Sequence, residues 1–480
     1  MPRSYKPTLL YPLFSIDVGP RLEYNASSRI LAGESARPNG LVAFAGAKSF
    51  ALVDWPMASE MKAPKTTDEA ASNGSIHRWY NIVLGYSNKL VTELLDELSL
   101  GSGEKVVDPF CGAATTLVEC LKREIGCLGI DANPSSCFAA RVKTNWRLHP
   151  TRLGELLSQV RAEYQGKISS ESDEYHHDPT FTYMKSAGMI ERGWISPAPL
   201  RKALTIKRAI GELKTSGDYK NALMLALVSE VVSAASNVRF GPELYCIEAK
   251  ADPDVMAGFS RRVTQMQEDL DQVASPKDVT SEIFQGDSRN YFDLLQAARG
   301  SKFSAVICSP PYPAEHDYTR NARLELAFLE QVSDRDTLRA IKRSMIRSHT
   351  KGIYKGDRDA SFVRENSQIK AIVKEVEQKI EGKTYGFARL YPRVVQEYFG
   401  GMKRHLKHIR HFLCSGARCA YILGDQSSYL RVHIPTAEIL SGIAQEVGFK
   451  RVEIRHWRTR WSTTTSKTLD ENILLMENPR

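Results

Sequence analysis

The chain has 480 residues, 42% of them hydrophobic and 25% charged, with a formal net charge of +9 and a pI of about 9.0. That length allows about two to four domains, or one core with large insertions, and the composition excludes a disordered or low-complexity chain. The mild basic excess suits a polyanionic partner, and the short apolar run 9–14, broken by Pro12, excludes a signal peptide or a membrane span there.

Residues 1–75 carry short apolar runs at 41–45 and 50–53, then a polar stretch over 62–75 that reads as a linker. No role is assigned to this N-terminal extension. Beyond it, 91–100 has helical periodicity, and the turn residues Gly101, Ser102 and Gly103 lead into a strand at 106–107 that ends at Asp108. The loop Cys111-Gly112-Ala113-Ala114-Thr115-Thr116 opens a helix over 117–124, and a second strand, 127–130, ends at Asp131. This is a strand–loop–helix–strand unit. Residues 147–275 then read as mostly helical, with apolar stripes at 204–213 and 222–232. Strand patterns return at 282–284, 305–308, 419–423, 451–455 and 472–476. Strands separated by helices predict a parallel α/β sheet covered on both faces. The eight cysteines (Cys111, Cys120, Cys127, Cys137, Cys246, Cys308, Cys414 and Cys419) contain no CxxC pair. They predict reduced core thiols, no metal site and a cytoplasmic location.

Four segments carry chemistry. Small residues in Asp108-Pro109-Phe110-Cys111-Gly112-Ala113-Ala114-Thr115-Thr116 permit close approach of the backbone to a ligand, although a plain tight turn would look similar. In Gly129-Ile130-Asp131-Ala132-Asn133-Pro134, an acidic residue ending the second strand can hold both hydroxyls of a ribose; the competing reading is a helix N-cap. Asp287, after Gly286 and the strand at 282–284, can accept a hydrogen bond from an adenine amino group. Ser309-Pro310-Pro311-Tyr312 is the most specific of the four. Two prolines stiffen the carboxyl end of a strand, where open α/β sheets bind ligands. A side-chain oxygen and a rigid carbonyl can accept from one NH₂ group there, beside a tyrosine ring able to stack on a base.

Together these segments resemble motifs I, II, III and IV of the amino-methylating DNA methyltransferases, and the segment from His77, Arg78, Trp79 and Tyr80 to Ser87 resembles their motif X. The resemblance covers about half the chain. It implies a Rossmann-like, seven-stranded class I methyltransferase sheet that uses S-adenosylmethionine. It implies a cofactor site of Tyr80, Asp108, Phe110, Cys111, Gly112, Thr115, Thr116, Asp131 and Asp287, and a catalytic tetrad of Ser309, Pro310, Pro311 and Tyr312. The implied target is the exocyclic amino group of a flipped base, with cytosine N4 preferred because Ser309 stands at the first tetrad position. Adenine N6 and guanine N2 in RNA are the alternatives. A DNA-binding protein with a decayed core has only Ala114 in its favour, since the family usually has glycine there; a methyl fits if φ is negative. Methylation at carbon 5 of cytosine needs a Pro-Cys dipeptide, which the chain lacks.

The expected organisation is an N-terminal extension (1–75), core (76–146), helical insertion (147–280), core with the tetrad (281–330), basic insertion (331–394) and C-terminal core (395–480). Double-stranded DNA is the expected partner, with a cognate restriction endonuclease as a further one. Arg343, Arg347, Lys351 and Lys355, with Tyr354 among them, suit phosphates and unstacked bases, and Arg239 in the helical insertion joins them. The basic stretch 403–411 precedes a core strand and reads as a sheet-covering helix. His316 and Asp317, just past the tetrad, are further candidates for positioning the base.

Overall fold

The computed structural model describes residues 76–479 apart from 82–84, 169–172, 241–243, 274–278, 382–385 and 463–464. The readings for residues 1–75 lie outside the described residues.

Strands β1 (Lys105–Asp108), β2 (Gly126–Asp131), β5 (Ser281–Gln285), β6 (Phe303–Cys308), β7 (Leu413–Gly424), β8 (Lys450–Ser462) and β9 (Lys467–Glu477) form one sheet in the order β5-β2-β1-β6-β7-β9-β8. The first five are parallel, while β9 runs antiparallel to both β7 and β8. Short apolar runs rather than clean alternation mark the central strands because both faces are buried. Side chains still alternate between two cores. Val106, Ala305, Ile307, Ala420, Ile422, Ile473 and Leu475 enter one cluster. Val107, Val306, Cys308, Cys419, Tyr421, Leu423, Leu474 and Met476 enter the other.

The first cluster is covered by the helices Asn88–Glu97, Thr115–Lys122 and Pro134–Lys143. Ser87 caps the first of these by accepting from the Lys89 amide at 3.2 Å, and Leu90, Val91, Leu94 and Leu95 form its buried stripe. The insertion helices Pro150–Ile168, Pro197–Glu212, Gly217–Glu230 and Val255–Gln272 bury their apolar residues in the same cluster. The insertion therefore thickens one face of the sheet and shares its core. It also holds an unexpected two-stranded hairpin, β3 (Val238–Phe240) with β4 (Leu244–Cys246).

The second cluster is covered by Tyr291–Ala298, Tyr391–Ile409 and Thr436–Glu446. The basic stretch around Lys403 is thus sheet-covering. His405 within it is fully buried, with its ring nitrogens 3.1 Å from the Ser288 carbonyl oxygen and 2.8 Å from the Tyr421 hydroxyl.

Candidate active site

The parallel strands end at one edge, and a cavity of about 490 Å³ opens there. Phe110–Ala113 follow β1, Asp131 ends β2, Gly286 and Ser288 follow β5, and Ser309–Tyr312 follow β6; all of these line it. Chain segments far apart in sequence close the other sides. Val232 and Ser233 come from a π-helical turn, Val231–Ala235, and Val238, Arg239 and Phe240 come from β3. Single π turns inside helices frequently sit at functional sites. Ser344, Met345 and Ile346 reach in from the basic insertion.

At the β2 end, Asp131 accepts from the Gly112 amide at 2.9 Å and from the Asn133 amide at 2.7 Å. Burial pushes its carboxyl up to about 6, against those amide hydrogen bonds. The N-cap of the following helix is Asn133, which accepts from the Ser135 amide at 3.1 Å, with Pro134 in the first turn. Capping therefore falls to Asn133 and leaves Asp131 facing the cavity. The loop packs close on β2: a Cβ at Gly129 would lie 2.9 Å from Cys111 Sγ and 2.8 Å from Leu117 Cδ2. Ala114 has φ of +68°, in the left-handed region, so the condition of a negative φ is not met. Its Cβ meets the carbonyl there at a cost of about 1–2 kcal/mol, held by burial of the methyl in the core.

Asp108 and Thr116 lie beneath the cavity rather than in its lining. Asp108 accepts from the Phe110 amide at 3.0 Å and the Tyr86 hydroxyl at 2.8 Å, and burial pushes its carboxyl up to about 7. The Thr116 hydroxyl donates to the Ile307 carbonyl oxygen and also contacts the Tyr86 hydroxyl. Both residues hold Tyr86, which does line the cavity.

Asp287 departs from its expected role as an adenine contact. Its carboxylate accepts from Arg289 at Nε (2.9 Å) and Nη2 (2.7 Å), and Arg289 also donates to Asp359 at 2.7 Å. The lining at this turn comes from Gly286 and Ser288 instead. A buried guanidinium needs a carboxylate partner, and Asp287 supplies one.

In the tetrad, the Ser309 hydroxyl donates to the Ile422 carbonyl oxygen of β7 at 3.3 Å. A hydroxyl has one proton and two lone pairs, so this bond leaves Ser309 Oγ with acceptor capacity. The Tyr312 amide donates to the Tyr318 hydroxyl oxygen at 3.2 Å, and the Tyr312 ring lies against Gly424. Tyr318, Gly424 and Glu325 carried no signal in the sequence. The Tyr80 hydroxyl, expected near the cofactor, lines the cavity and donates to Glu325 Oε1 at 2.6 Å. Asp317 is tied into structure: it accepts from Lys342 at 2.5 Å and caps the short helix Tyr318–Asn321.

In the basic insertion Arg343, Lys351 and Lys355 are exposed, and Arg343 immediately precedes the lining segment 344–346. Arg347 is buried at 5% exposure. Its guanidinium donates to Asp357 at 2.9 and 2.7 Å and to the carbonyls of Lys342, Arg343 and Met345. It pins the loop and is not offered to a phosphate. Arg239 Nη1 donates to the Val238 carbonyl oxygen at 2.7 Å.

No family model matches the chain. It is similar to the type II methyltransferase M.BsoBI of Geobacillus stearothermophilus, with 21% identity over 86% of this chain and 87% of the relative. The type II methyltransferase M.AvaI of Anabaena variabilis is 23% identical over 78% of this chain and 79% of its own. M.MvaI of Kocuria varians is 26% identical over 49% and 52%. The chain is a methyltransferase. Its methyl donor is S-adenosylmethionine. Among solved structures, the rRNA methyltransferase aviRa from Streptomyces viridochromogenes aligns over 88% of this chain and 97% of its own at 11% identity. The TM-score of that alignment is 0.29.

The cavity suits that donor. Its volume falls within the range of about 300–1,000 Å³ usual for small-molecule sites. Asp131 presents a carboxylate suited to a diol, and the carboxylates of Asp131 and Glu325 complement a ligand of net positive charge. Among the described residues, no helix is long and apolar enough to cross a membrane.

Proposed function

We propose that this methyltransferase methylates the exocyclic amino nitrogen of a base flipped out of double-stranded DNA, with cytosine N4 the preferred target. It would act as the modification partner of a restriction endonuclease or as an orphan modifier. One observation carries the reading: Ser309–Tyr312 shares a single cavity with Asp131 and the Phe110–Ala113 loop. An amino acceptor and a methyl donor can therefore meet there. The similarity to type II methyltransferases along most of the chain supports DNA as the substrate, as does the net charge of +9.

When bound, S-adenosylmethionine supplies a methyl group made electrophilic by the attached sulfonium. The protein must make the amino nitrogen a better nucleophile, because its lone pair is delocalised into the base. Ser309 Oγ and the Pro310 carbonyl oxygen each accept one amino hydrogen, which favours a pyramidal nitrogen with its lone pair free. Acceptors fixed in advance for that geometry strengthen in the transition state and raise the rate. Tyr312 stacks on the extruded base. No covalent bond between protein and base is required. Arg343, next to the lining segment, and Lys351 and Lys355 on the same insertion hold phosphates, and Arg239 does so from the β3 wall.

The test is transfer of labelled methyl groups to duplex DNA, followed by digestion and identification of the nucleoside. N4-methylcytosine is expected. N6-methyladenine overturns the choice of base, and label in RNA but not DNA overturns the function.

A further inference from the structure

Glu325, on the helix Arg323–Phe328, is 4% exposed and lines the active-site cavity. Its Oε1 accepts from the Tyr80 hydroxyl, but among the described residues its buried Oε2 has no hydrogen-bond partner. An enclosed carboxylate oxygen without a donor is costly unless a ligand supplies one. Among the described residues, the charged side chains lining the cavity are Asp131, Arg239 and Glu325. Among the described residues, no cation acts on Glu325, whose hydrogen-bond partner is Tyr80.

We propose that Glu325 Oε2 receives the α-ammonium group of the methionine tail of S-adenosylmethionine, making Glu325 and Tyr80 the amino-acid end of the donor site. The inference rests on the assignment of that donor. The donor carries two cationic centres, and only one suits an orphaned acceptor: an ammonium has three N–H donors, whereas a sulfonium has none. Ser309 and Pro310 take the amino hydrogens of the target base and Asp131 the ribose hydroxyls; of the donors that remain, the adenine amino group and the ammonium, only the ammonium carries the positive charge that a buried carboxylate complements. Tyr80 fixes the carboxylate by occupying its other oxygen, so Tyr80 is a positioning residue here.

The experiment is calorimetric titration of wild type and Glu325→Gln with three ligands: S-adenosylmethionine, S-adenosylhomocysteine and methylthioadenosine, which lacks the amino-acid tail. The substitution should weaken the first two by roughly 10- to 100-fold and leave the third within about twofold. Loss confined to S-adenosylmethionine assigns Glu325 to the sulfonium and overturns the proposal. Equal loss for all three, or unchanged binding with methyl transfer abolished, overturns it as well. A second measurement needs no variant: wild-type protein should bind S-adenosylhomocysteine roughly 10- to 100-fold more tightly than its deaminated analogue, and equal affinities overturn the proposal. Wild-type protein that binds none of these ligands would instead overturn the donor assignment.

Discussion

The Tyr312 ring rests on Gly424, at the carboxyl end of β7. A Cβ at position 424 would lie 2.8 Å from Tyr312 Cε2 and 3.2 Å from Cδ2. Backbone and ring cannot both stay in place under that contact, so Gly424→Ala should displace Tyr312. Displacements on the order of 1 Å at reacting groups cost roughly 100-fold in rate. We expect single-turnover methyl transfer to fall by about that factor while cofactor affinity stays within about twofold. Unchanged transfer would show that the ring position is not catalytic.

Ser309→Ala removes one of two acceptors for the amino hydrogens and the hydroxyl's bond to the Ile422 carbonyl oxygen. Loss of a group that acts only in the transition state should cost on the order of 2–4 kcal/mol, or roughly 100- to 1,000-fold in rate. Cofactor titration should be unaffected. Full activity in the folded variant would remove Ser309 from the mechanism.

Asp131→Asn should weaken cofactor binding by roughly 2 kcal/mol through loss of charge-assisted bonds to the ribose. The wild type should also show a pH dependence of defined sign. Burial holds the Asp131 carboxyl at about 6 in the free protein, and the ionised form is the one that accepts two hydroxyl hydrogens. The Asp131 contribution is therefore complete above that value and falls as pH drops through 6, by up to about tenfold per unit. Calorimetry from about pH 5 to about pH 8 spans that midpoint and checks this: the fall through 6 should be absent in Asp131→Asn, which keeps only the fall through about 7 set by Glu325, whose carboxyl burial pushes up to about 7.

The basic insertion separates two kinds of cation. Arg347→Ala leaves Asp357 buried without its guanidinium and should destabilise the protein by about 3–5 kcal/mol. Alanine at exposed Lys351 or Lys355 should change stability by less than about 0.5 kcal/mol. Each of these lysines that neutralises a phosphate should, once replaced, lower the log–log salt slope of DNA binding by about 0.9. Thermal melts and binding isotherms at several salt concentrations test both halves. A salt slope unchanged in the double variant would move the DNA grip elsewhere, with Arg239 the next candidate.

The parts of the site legible in the sequence are those contiguous in the chain. A strand, a turn of small residues and a helix start are local events, so Asp108–Thr116, Gly129–Pro134 and Ser309–Tyr312 could be placed at strand ends from pattern alone. The alternation that sends Val106 and Val107 into opposite cores has the same origin, since successive side chains on a strand point to opposite faces. Tertiary structure decided which charges are available. Asp287 and Arg347 read as contacts for ligand and phosphate, yet Arg289 and Asp357 neutralise them. It also brought Phe240 and Gly424 to a tetrad from which each lies distant in sequence, and turned Glu325 into the same cavity. A carboxylate or guanidinium has the same formula in solvent, in an ion pair or at the wall of a cavity. How much water it keeps is settled by packing even where, as for Asp287 with Arg289 and Arg347 with Asp357, the partner lies near in the chain, and that packing depends on the whole core rather than on any short run of residues.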